Sequence, residues 1–290
     1  MKIEIAIEGP WEAIRALHRK LPGRSENPEP GIGGDPRRAR LTLIEEENTL
    51  NSRLITLSRI VDRDLRVADR LKFRVRNLAY SEPAPWDESL REPFQPVPSL
   101  TIQPWSPSAS RPEDPHTILL DSHLAFGTGR HPTTEMCLKV IHALSLGPGK
   151  LAGKKVLDFG CGTGLLIMAA VRLGAGGGQG IEIDAEAAAT AQRNVALNGL
   201  SESIVISCGS WESVQGQADL LLANLVPAVL LRTGAEIPPR LKERGCAVIS
   251  GFGQNQSREM EAFFASLGLR TVERLESKGW AALVMERKKT

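Results

Sequence analysis

The feature that most constrains the fold of this chain is an apolar strand that runs directly into three glycines spaced two residues apart. Residues 156–164 read VLDFGCGTG, and an acidic pair follows at Glu182 and Asp184. Glycine lets the backbone turn sharply and approach a ligand closely, because it has no Cβ and adopts positive φ at little cost. A carboxylate about 20 residues further on, at the end of the next strand, suits a ribose diol. The pattern predicts a site for a nucleoside-bearing ligand, and the alternative is a tight strand-to-helix turn that binds nothing.

The spacing of the glycines distinguishes between nucleoside cofactors. The dinucleotide fingerprint G-x-G-x-x-G requires a third glycine at position 165, which is Leu165 in this chain. The residues instead match D-x-G-x-G-x-G, which resembles motif one of the Rossmann-like S-adenosylmethionine-dependent methyltransferases and includes Asp158, Gly160 and Gly162. We expect the Asp158 carboxylate either to accept hydrogen bonds from the loop amides or to lie near the ammonium of the cofactor.

Composition excludes several classes of protein. The 290 residues suffice for two modest domains or one large one. With 36 basic and 34 acidic side chains, the formal net charge is +2, so the overall charge does not favour a polyanionic partner. The four cysteines include no C-x-x-C pair, which argues against a zinc site or a disulfide framework. The amino terminus lacks a signal-peptide core, and no apolar run reaches the roughly 18 residues of a membrane span. We expect a cytoplasmic protein without a metal site.

The first 79 residues are predicted to form a small α+β domain. Apolar and charged residues alternate at the amino terminus, as in a strand, and a helix is expected from Pro10. Further strands are predicted near Arg40 and Leu71, while proline and glycine make residues 22–36 a loop.

Residues 50–70 carry apolar side chains at spacings of three and four, which indicates an amphipathic helix. Its opposite face presents four arginines, Arg59, Arg63, Arg66 and Arg70. This face is either a solvated surface or a weak docking site for RNA or an acidic protein surface.

Residues 80–116 are predicted to be a linker, because they are rich in proline and serine. Trp86, Phe94 and Trp105 are spaced through this segment. The aromatic side chains either pack on a neighbouring domain or line a peptide groove.

Residues 117–290 show alternating strand and helix patterns, which predict a parallel sheet covered by helices on both faces. The last two strands, near 269–275 and 280–286, are joined by four residues, so they must be antiparallel. A last strand that returns antiparallel is typical of methyltransferases and not of dinucleotide dehydrogenases. The predicted fold class is α/β, with a Rossmann-like seven-stranded methyltransferase sheet and a small N-terminal α+β domain.

A second glycine-rich segment precedes motif one by about 30 residues. Residues 125–134 read AFGTGRHPTT, and GIEID at 180–184 and LANL at 222–225 follow motif one. In this order and spacing, the motifs resemble the bacterial ribosomal protein L11 methyltransferases over residues 117–286. The resemblance implies S-adenosylmethionine as the cofactor and a protein of the large ribosomal subunit as the substrate. It also implies that the N-terminal domain recognises that substrate.

The resemblance implies four cofactor contacts, and by motif match they are Thr134, Gly160, Glu182 and Asn224. Glu182 stands where the family usually has aspartate. Asp184 is either a second candidate for the ribose or the cap of the following helix.

The second glycine-rich segment is expected to wrap the methionine end of the cofactor. Its candidate contacts are Gly127, Thr128 and Gly129, together with Phe126. Phe126 either covers the sulfonium or the adenine, or it packs in the core. We assign no proton transfer to His131, and Trp211 either flanks the adenine or packs in the core.

Methyl transfer to an amine requires positioning and a neutral nucleophile. A lysine ammonium, with a pKa of about 10.4, is protonated at neutral pH, and a desolvated pocket beside a cation lowers that pKa. Asn224 is predicted at the carboxyl end of a strand, where its amide oxygen suits acceptance from the attacking amine. The residues after Asn224 are LVP, not the PPY typical of amide methylation, which favours an alkyl amine.

We therefore predict a protein N-methyltransferase that acts on lysine or N-terminal amines of the ribosomal protein, with Asn224 as its catalytic residue. Methylation of another protein or of a small molecule is an alternative. So is an inactive ribosome-binding module on the same fold.

Overall fold

The computed structural model describes residues 2–21, 28–30, 37–46, 72–77, 92–106, 114–121, 127–147 and 151–288. The chain divides into two compact units, Met1–Trp86 and Asp87–Thr290. In the ranges described, every helix is too short or too polar to cross a bilayer.

The first unit contains a four-stranded sheet and a helix. Its elements are β1 (Lys2–Pro10), α1 (Trp11–Lys20), β2 (Glu29–Pro30), β3 (Arg38–Glu46) and β4 (Lys72–Asn77). The sheet order is β2-β3-β1-β4, and β1 is antiparallel to both of its neighbours. Ile14 and Leu17 of α1 are fully buried, as are Ile7 and Leu41 of the sheet. The small N-terminal α+β unit is thus confirmed, while the predicted basic helix at 50–70 lies outside the described residues.

A three-stranded sheet begins the described part of the second unit. It consists of β5 (Phe94–Val97), β6 (Leu100–Pro104) and β7 (Thr117–Leu120). β6 pairs antiparallel with β5 and parallel with β7. Residues 94–104 were predicted to be part of a linker, and for them that prediction is wrong. Leu100 and Ile102 point into the core at alternate positions, so the segment satisfies its backbone in a sheet despite its prolines.

The large sheet of the second unit has seven strands. They are β8 (Lys155–Phe159), β9 (Gly177–Glu182), β10 (Ile204–Cys208), β11 (Ala218–Asn224), β12 (Leu241–Gly253), β13 (Leu269–Ser277) and β14 (Trp280–Arg287). Their order is β10-β9-β8-β11-β12-β14-β13. The first five are parallel, whereas β14 is antiparallel to both β12 and β13. The predicted α/β fold class with an antiparallel last strand is confirmed.

Helices cover both faces of this sheet. They are α2 (Pro132–Leu146), α3 (Leu165–Arg172), α4 (Ala185–Leu197), α5 (Pro227–Thr233), α6 (Ile237–Arg240) and α7 (Ser257–Ser266). The side chains of β11 alternate between two buried clusters. Leu220 and Leu222 pack with residues of α2, α3 and α4, whereas Leu221 and Ala223 pack with residues of α5, α6 and α7. β11 is therefore apolar on both faces, as expected of a central parallel strand.

Candidate active site

The carboxyl ends of three adjacent parallel strands bring the predicted site residues to one edge of the sheet. β9 ends at Glu182, β8 runs into Gly160, and β11 ends at Asn224. The order β9-β8-β11 places the glycine loop between the two polar side chains. Neighbouring strands lie about 4.8 Å apart, so the three strands span roughly 10 Å. This edge is where open α/β sheets bind their ligands.

The glycines of motif one adopt left-handed conformations. Gly160, Gly162 and Gly164 have φ values of 74°, 54° and 78°. A Cβ on Gly160 would lie 2.3 Å from Cδ2 of Leu225, the residue after Asn224. A larger residue would therefore have to displace the Leu225 side chain and would also be strained by the left-handed backbone, independently of any ligand. The same contact places the loop against the strand that carries Asn224.

Glu182 is tied to the glycine loop by its carboxylate. Its Oε2 accepts from the Gly162 amide at 3.0 Å, and its Oε1 accepts from the Asp184 amide at 3.1 Å. Burial raises the pKa of Glu182 above its usual value, although these amides oppose the shift. The carboxylate is thus oriented by two backbone donors at the edge where a ribose diol is expected.

Asp184 is the N-cap of α4 and its carboxylate serves that helix. The side chain accepts from the amides of Glu186 and Ala187 at 2.9 and 3.1 Å. Of the two interpretations left open for Asp184, the structure supports the helix cap.

Asp158 lies beneath the glycine loop and is only 1% exposed. Its Oδ2 accepts from the Ile167 amide at 3.2 Å, in the first turn of α3. Burial raises the pKa of Asp158 to about 7. The bonded amide belongs to α3 and not to the loop, so the carboxyl group links the end of β8 to the following helix.

Asn224 is held by Thr134, which is buried in the first turn of α2. The Asn224 Nδ2 donates to the Thr134 Oγ1 at 3.3 Å. The Asn224 Oδ1 is buried and has no hydrogen-bond partner among the described residues. A buried acceptor without a partner costs about 1–3 kcal/mol, so this atom is suited to a donor that arrives with a ligand.

The loop that contains Gly127, Thr128 and Gly129 is fastened to both motif one and the small sheet. The Gly127 carbonyl accepts from the Thr163 hydroxyl at 2.8 Å. Gly129 is packed so closely that an added Cβ would lie 2.7 Å from Ile102 and 3.0 Å from Phe94. The strands β5 and β6, predicted as linker, therefore position this loop. Phe126 lies outside the described residues.

Two aromatic candidates have structural roles. Trp211 stacks on Phe159 with ring centroids 3.6 Å apart and planes inclined by 10°, and it is buried in the core. The packing interpretation of Trp211 is therefore confirmed. His131 is the N-cap of α2, and its Nδ1 lies 2.7 Å from the Thr133 Oγ1.

Ile183 was not predicted as a site residue, although it lies between Glu182 and Asp184. Its side chain is 75% exposed, which is unusual for a large apolar residue at the end of a central strand. The alternating sequence of GIEID is compatible with a strand that continues through position 183. β9 ends at Glu182 instead, and this leaves Ile183 at the ligand edge.

Comparison with known proteins identifies the family. The model of the family "Ribosomal protein L11 methyltransferase (PrmA)" matches residues 42–288. The chain belongs to this family. The resemblance inferred from four motifs is thus confirmed, and the S-adenosylmethionine predicted from motif one is the methyl donor that this family implies.

Individual members of the family are similar over most of the chain. The ribosomal protein L11 methyltransferase of Geotalea uraniireducens (strain Rf4) is 34% identical over 208 residues, covering 68% of this chain and 66% of the relative. That of Pelobacter propionicus is 32% identical over 246 residues, covering 83% of this chain and 79% of the relative. The chain thus spans about two thirds of the length of the first of these relatives.

A solved structure shows the same fold. The crystal structure of ribosomal protein L11 methylase from Lactobacillus delbrueckii subsp. bulgaricus superposes with a TM-score of 0.59 and 29% sequence identity. The match covers 68% of this chain and 99% of that one.

Proposed function

We propose that this protein transfers methyl groups from S-adenosylmethionine to amines of ribosomal protein L11, either on lysine side chains or at the amino terminus. The observation that carries the proposal is the buried, unpartnered Oδ1 of Asn224 at the carboxyl edge of the sheet. An amine that attacks a methyl group presents N–H donors, and such a donor would satisfy this acceptor.

Different residues are proposed to bind different parts of S-adenosylmethionine. Glu182 accepts from the ribose diol, and the exposed side chain of Ile183 beside it offers an apolar surface to the adenine. The loop of Gly127, Thr128 and Gly129 holds the methionine end. Of the two roles predicted for Phe126, which lies outside the described residues, we propose the cover of the sulfonium or the adenine. Four further residues remain proposed as cofactor contacts: Thr134, Asp158, Gly160 and Gly162.

S-adenosylmethionine supplies a methyl group on a positively charged sulfur, which is a good leaving group. The task left to the protein is to bind the acceptor as a neutral amine and to aim its lone pair. A hydrogen bond from the amine to the Asn224 Oδ1 fixes the direction of that lone pair. Removal of water from the pocket, next to a cation, favours the neutral amine over the ammonium.

Substrate recognition is assigned to the N-terminal unit. The arginines of the helix predicted at 50–70, Arg59, Arg63, Arg66 and Arg70, are proposed as a weak contact to ribosomal RNA or to an acidic protein surface. We also assign the protein to the cytoplasm, because its four cysteines are free thiols that a reducing compartment maintains.

Mass spectrometry of ribosomal proteins from cells with and without the gene tests the substrate. We expect L11 to lose methyl groups at lysine or at its amino terminus when the gene is absent. Incubation of the unmethylated L11 with the purified protein and isotope-labelled S-adenosylmethionine should restore them. If L11 is unchanged and another ribosomal protein loses methyl groups, the proposed substrate is wrong. If calorimetry detects no binding of S-adenosylmethionine, the proposed enzymatic function is wrong.

A further inference from the structure

A buried asparagine outside the motifs holds the glycine loop of motif one. Asn194 lies on α4 and is completely buried. Its Nδ2 donates to the Thr163 carbonyl at 2.9 Å and to the Asp121 carbonyl at 2.8 Å. Its Oδ1 accepts from the Asp121 amide at 2.9 Å. One side chain thus joins α4, the glycine loop and the residue that follows β7.

Thr163 extends this connection to the second glycine loop. Its hydroxyl donates to the Gly127 carbonyl at 2.8 Å. A Cβ on Gly127 would lie 3.0 Å from the same hydroxyl oxygen, so the two loops also pack closely. Asn194 therefore restrains the residue through which the two loops contact each other.

Asn198 provides a natural comparison one helical turn further along the chain. It is 2% exposed, its Oδ1 accepts from the Leu119 amide at 2.9 Å, and its Nδ2 donates to the Leu119 carbonyl at 2.7 Å. The Nδ2 also contacts the Asn194 carbonyl and the Met168 sulfur. Asn194 and Asn198 thus make the same pair of bonds to the backbone of one segment. Of these two asparagines, Asn194 is the one with a described hydrogen bond to the glycine loop.

We propose that Asn194 is a positioning residue of the methyl-donor site. It holds Thr163, whose hydroxyl donates to the Gly127 carbonyl, and so sets the spacing between the loops at 160–164 and 127–129. A primary amide suits this role because it offers two donors and an acceptor in one plane. Each of these groups is costly to leave unpaired in the core. The inference rests on the proposed function, since that function assigns both loops to S-adenosylmethionine.

The test compares Asn194→Ala with Asn198→Ala. Each substitution removes two hydrogen bonds to the β7 segment, so both should lower the thermal midpoint measured without ligand. Asn194→Ala should also weaken S-adenosylmethionine binding in calorimetry by about tenfold or more, because it alone frees the loop. In methylation assays its KM for S-adenosylmethionine should rise while its KM for the protein substrate stays unchanged. Asn198→Ala should bind S-adenosylmethionine as the unaltered protein does.

The outcomes distinguish failure of the positioning role from failure of the proposed function. Equal losses of affinity in the two variants, or an unchanged affinity in Asn194→Ala, would overturn the positioning role. Failure of the unaltered protein to bind S-adenosylmethionine would overturn the proposed function, and the inference with it. If the alanine variants do not fold, Asn194→Asp and Asn198→Asp repeat the comparison with the shape of each side chain preserved. Equal affinities in that pair would again overturn the role of Asn194.

Discussion

The Asn224 side-chain amide donates to the Thr134 hydroxyl at 3.3 Å, across 90 residues of sequence. This bond joins the end of β11 to the first turn of α2 and uses the nitrogen of the amide. It directs the oxygen of Asn224 away from Thr134, and that oxygen is left buried without a partner among the described residues. The bond therefore fixes the orientation of the Asn224 amide.

Substitution Asn224→Ala should lower kcat by about 100-fold or more, because it removes the acceptor that orients the attacking amine. The affinity for S-adenosylmethionine should change little, as measured by calorimetry. Thr134→Val is the matched control, since it keeps the side-chain shape and removes only the hydroxyl that orients Asn224. It should reduce kcat less than Asn224→Ala does. An Asn224→Ala enzyme with normal kcat would refute the catalytic role.

The affinity for S-adenosylmethionine should depend on pH through Glu182. Burial raises the pKa of this carboxyl group, so its charged form is lost at a higher pH than for an ordinary glutamate. Binding should therefore weaken as the pH falls, and the weakening should begin at a higher pH than an ordinary glutamate would cause. Glu182→Gln should bind weakly at every pH tested, with a flatter profile. The same calorimetric series with Asp158→Asn separates the contribution of the other buried carboxyl group. An affinity of Glu182→Gln equal to that of the unaltered protein would exclude the ribose contact.

Asp158 should make the unfolding free energy fall as the pH rises. Its pKa is about 7 in the folded protein, whereas that of an ordinary aspartate is 3.8. The folded state therefore binds more protons between these values, and the resulting stabilisation is complete below about pH 4 and lost towards pH 7. Asp158→Asn keeps an acceptor for the Ile167 amide without the charge. Denaturant unfolding at pH 5 and pH 8 should show a smaller loss of stability in this variant, whereas an equal loss would contradict the prediction.

Gly160→Ala should destabilise the protein and impair methylation. The left-handed backbone at this position costs an alanine about 1–2 kcal/mol, and its Cβ would also clash with Leu225. Adding Leu225→Ala should remove the clash but not the backbone strain. Thermal unfolding of the two single variants and the double variant should therefore show non-additive effects. Additive effects would mean that the clash with Leu225 does not contribute to the destabilisation caused by Gly160→Ala.

The fold was predictable where local patterns suffice. The strand before Gly160 and the glycine loop follow from a short apolar run and three glycines. The antiparallel β14 follows from the four-residue connection after β13, because no helical crossover is that short. The strands β5 and β6 were missed because three prolines and a serine obscure the alternation of Leu100 and Ile102.

For Asp184 and Trp211, the interpretations left open by the sequence were settled by contacts in the structure. Asp184 is compatible with a ribose contact and with a helix cap, and the amides of α4 that bind it support the cap. Trp211 is assigned to the core by its stacking on Phe159, which is 52 positions earlier in the chain (211 minus 159). Local residue preferences carry no information about such pairs.

The sequence by itself determined the family, the cofactor and the strand ends at which Glu182 and Asn224 lie. Each of these depends on motif identity or on the period of apolar residues, and both are local properties of the chain. Only the tertiary structure decided which hydrogen bonds and packing contacts fix each side chain. The Asn194 amide contacts Asp121 across 73 residues, and Leu225, which follows a neighbouring strand, packs on Gly160. These contacts form only when the chain is folded, because each joins residues that are far apart in the sequence, and burial favours the polar groups that find a partner.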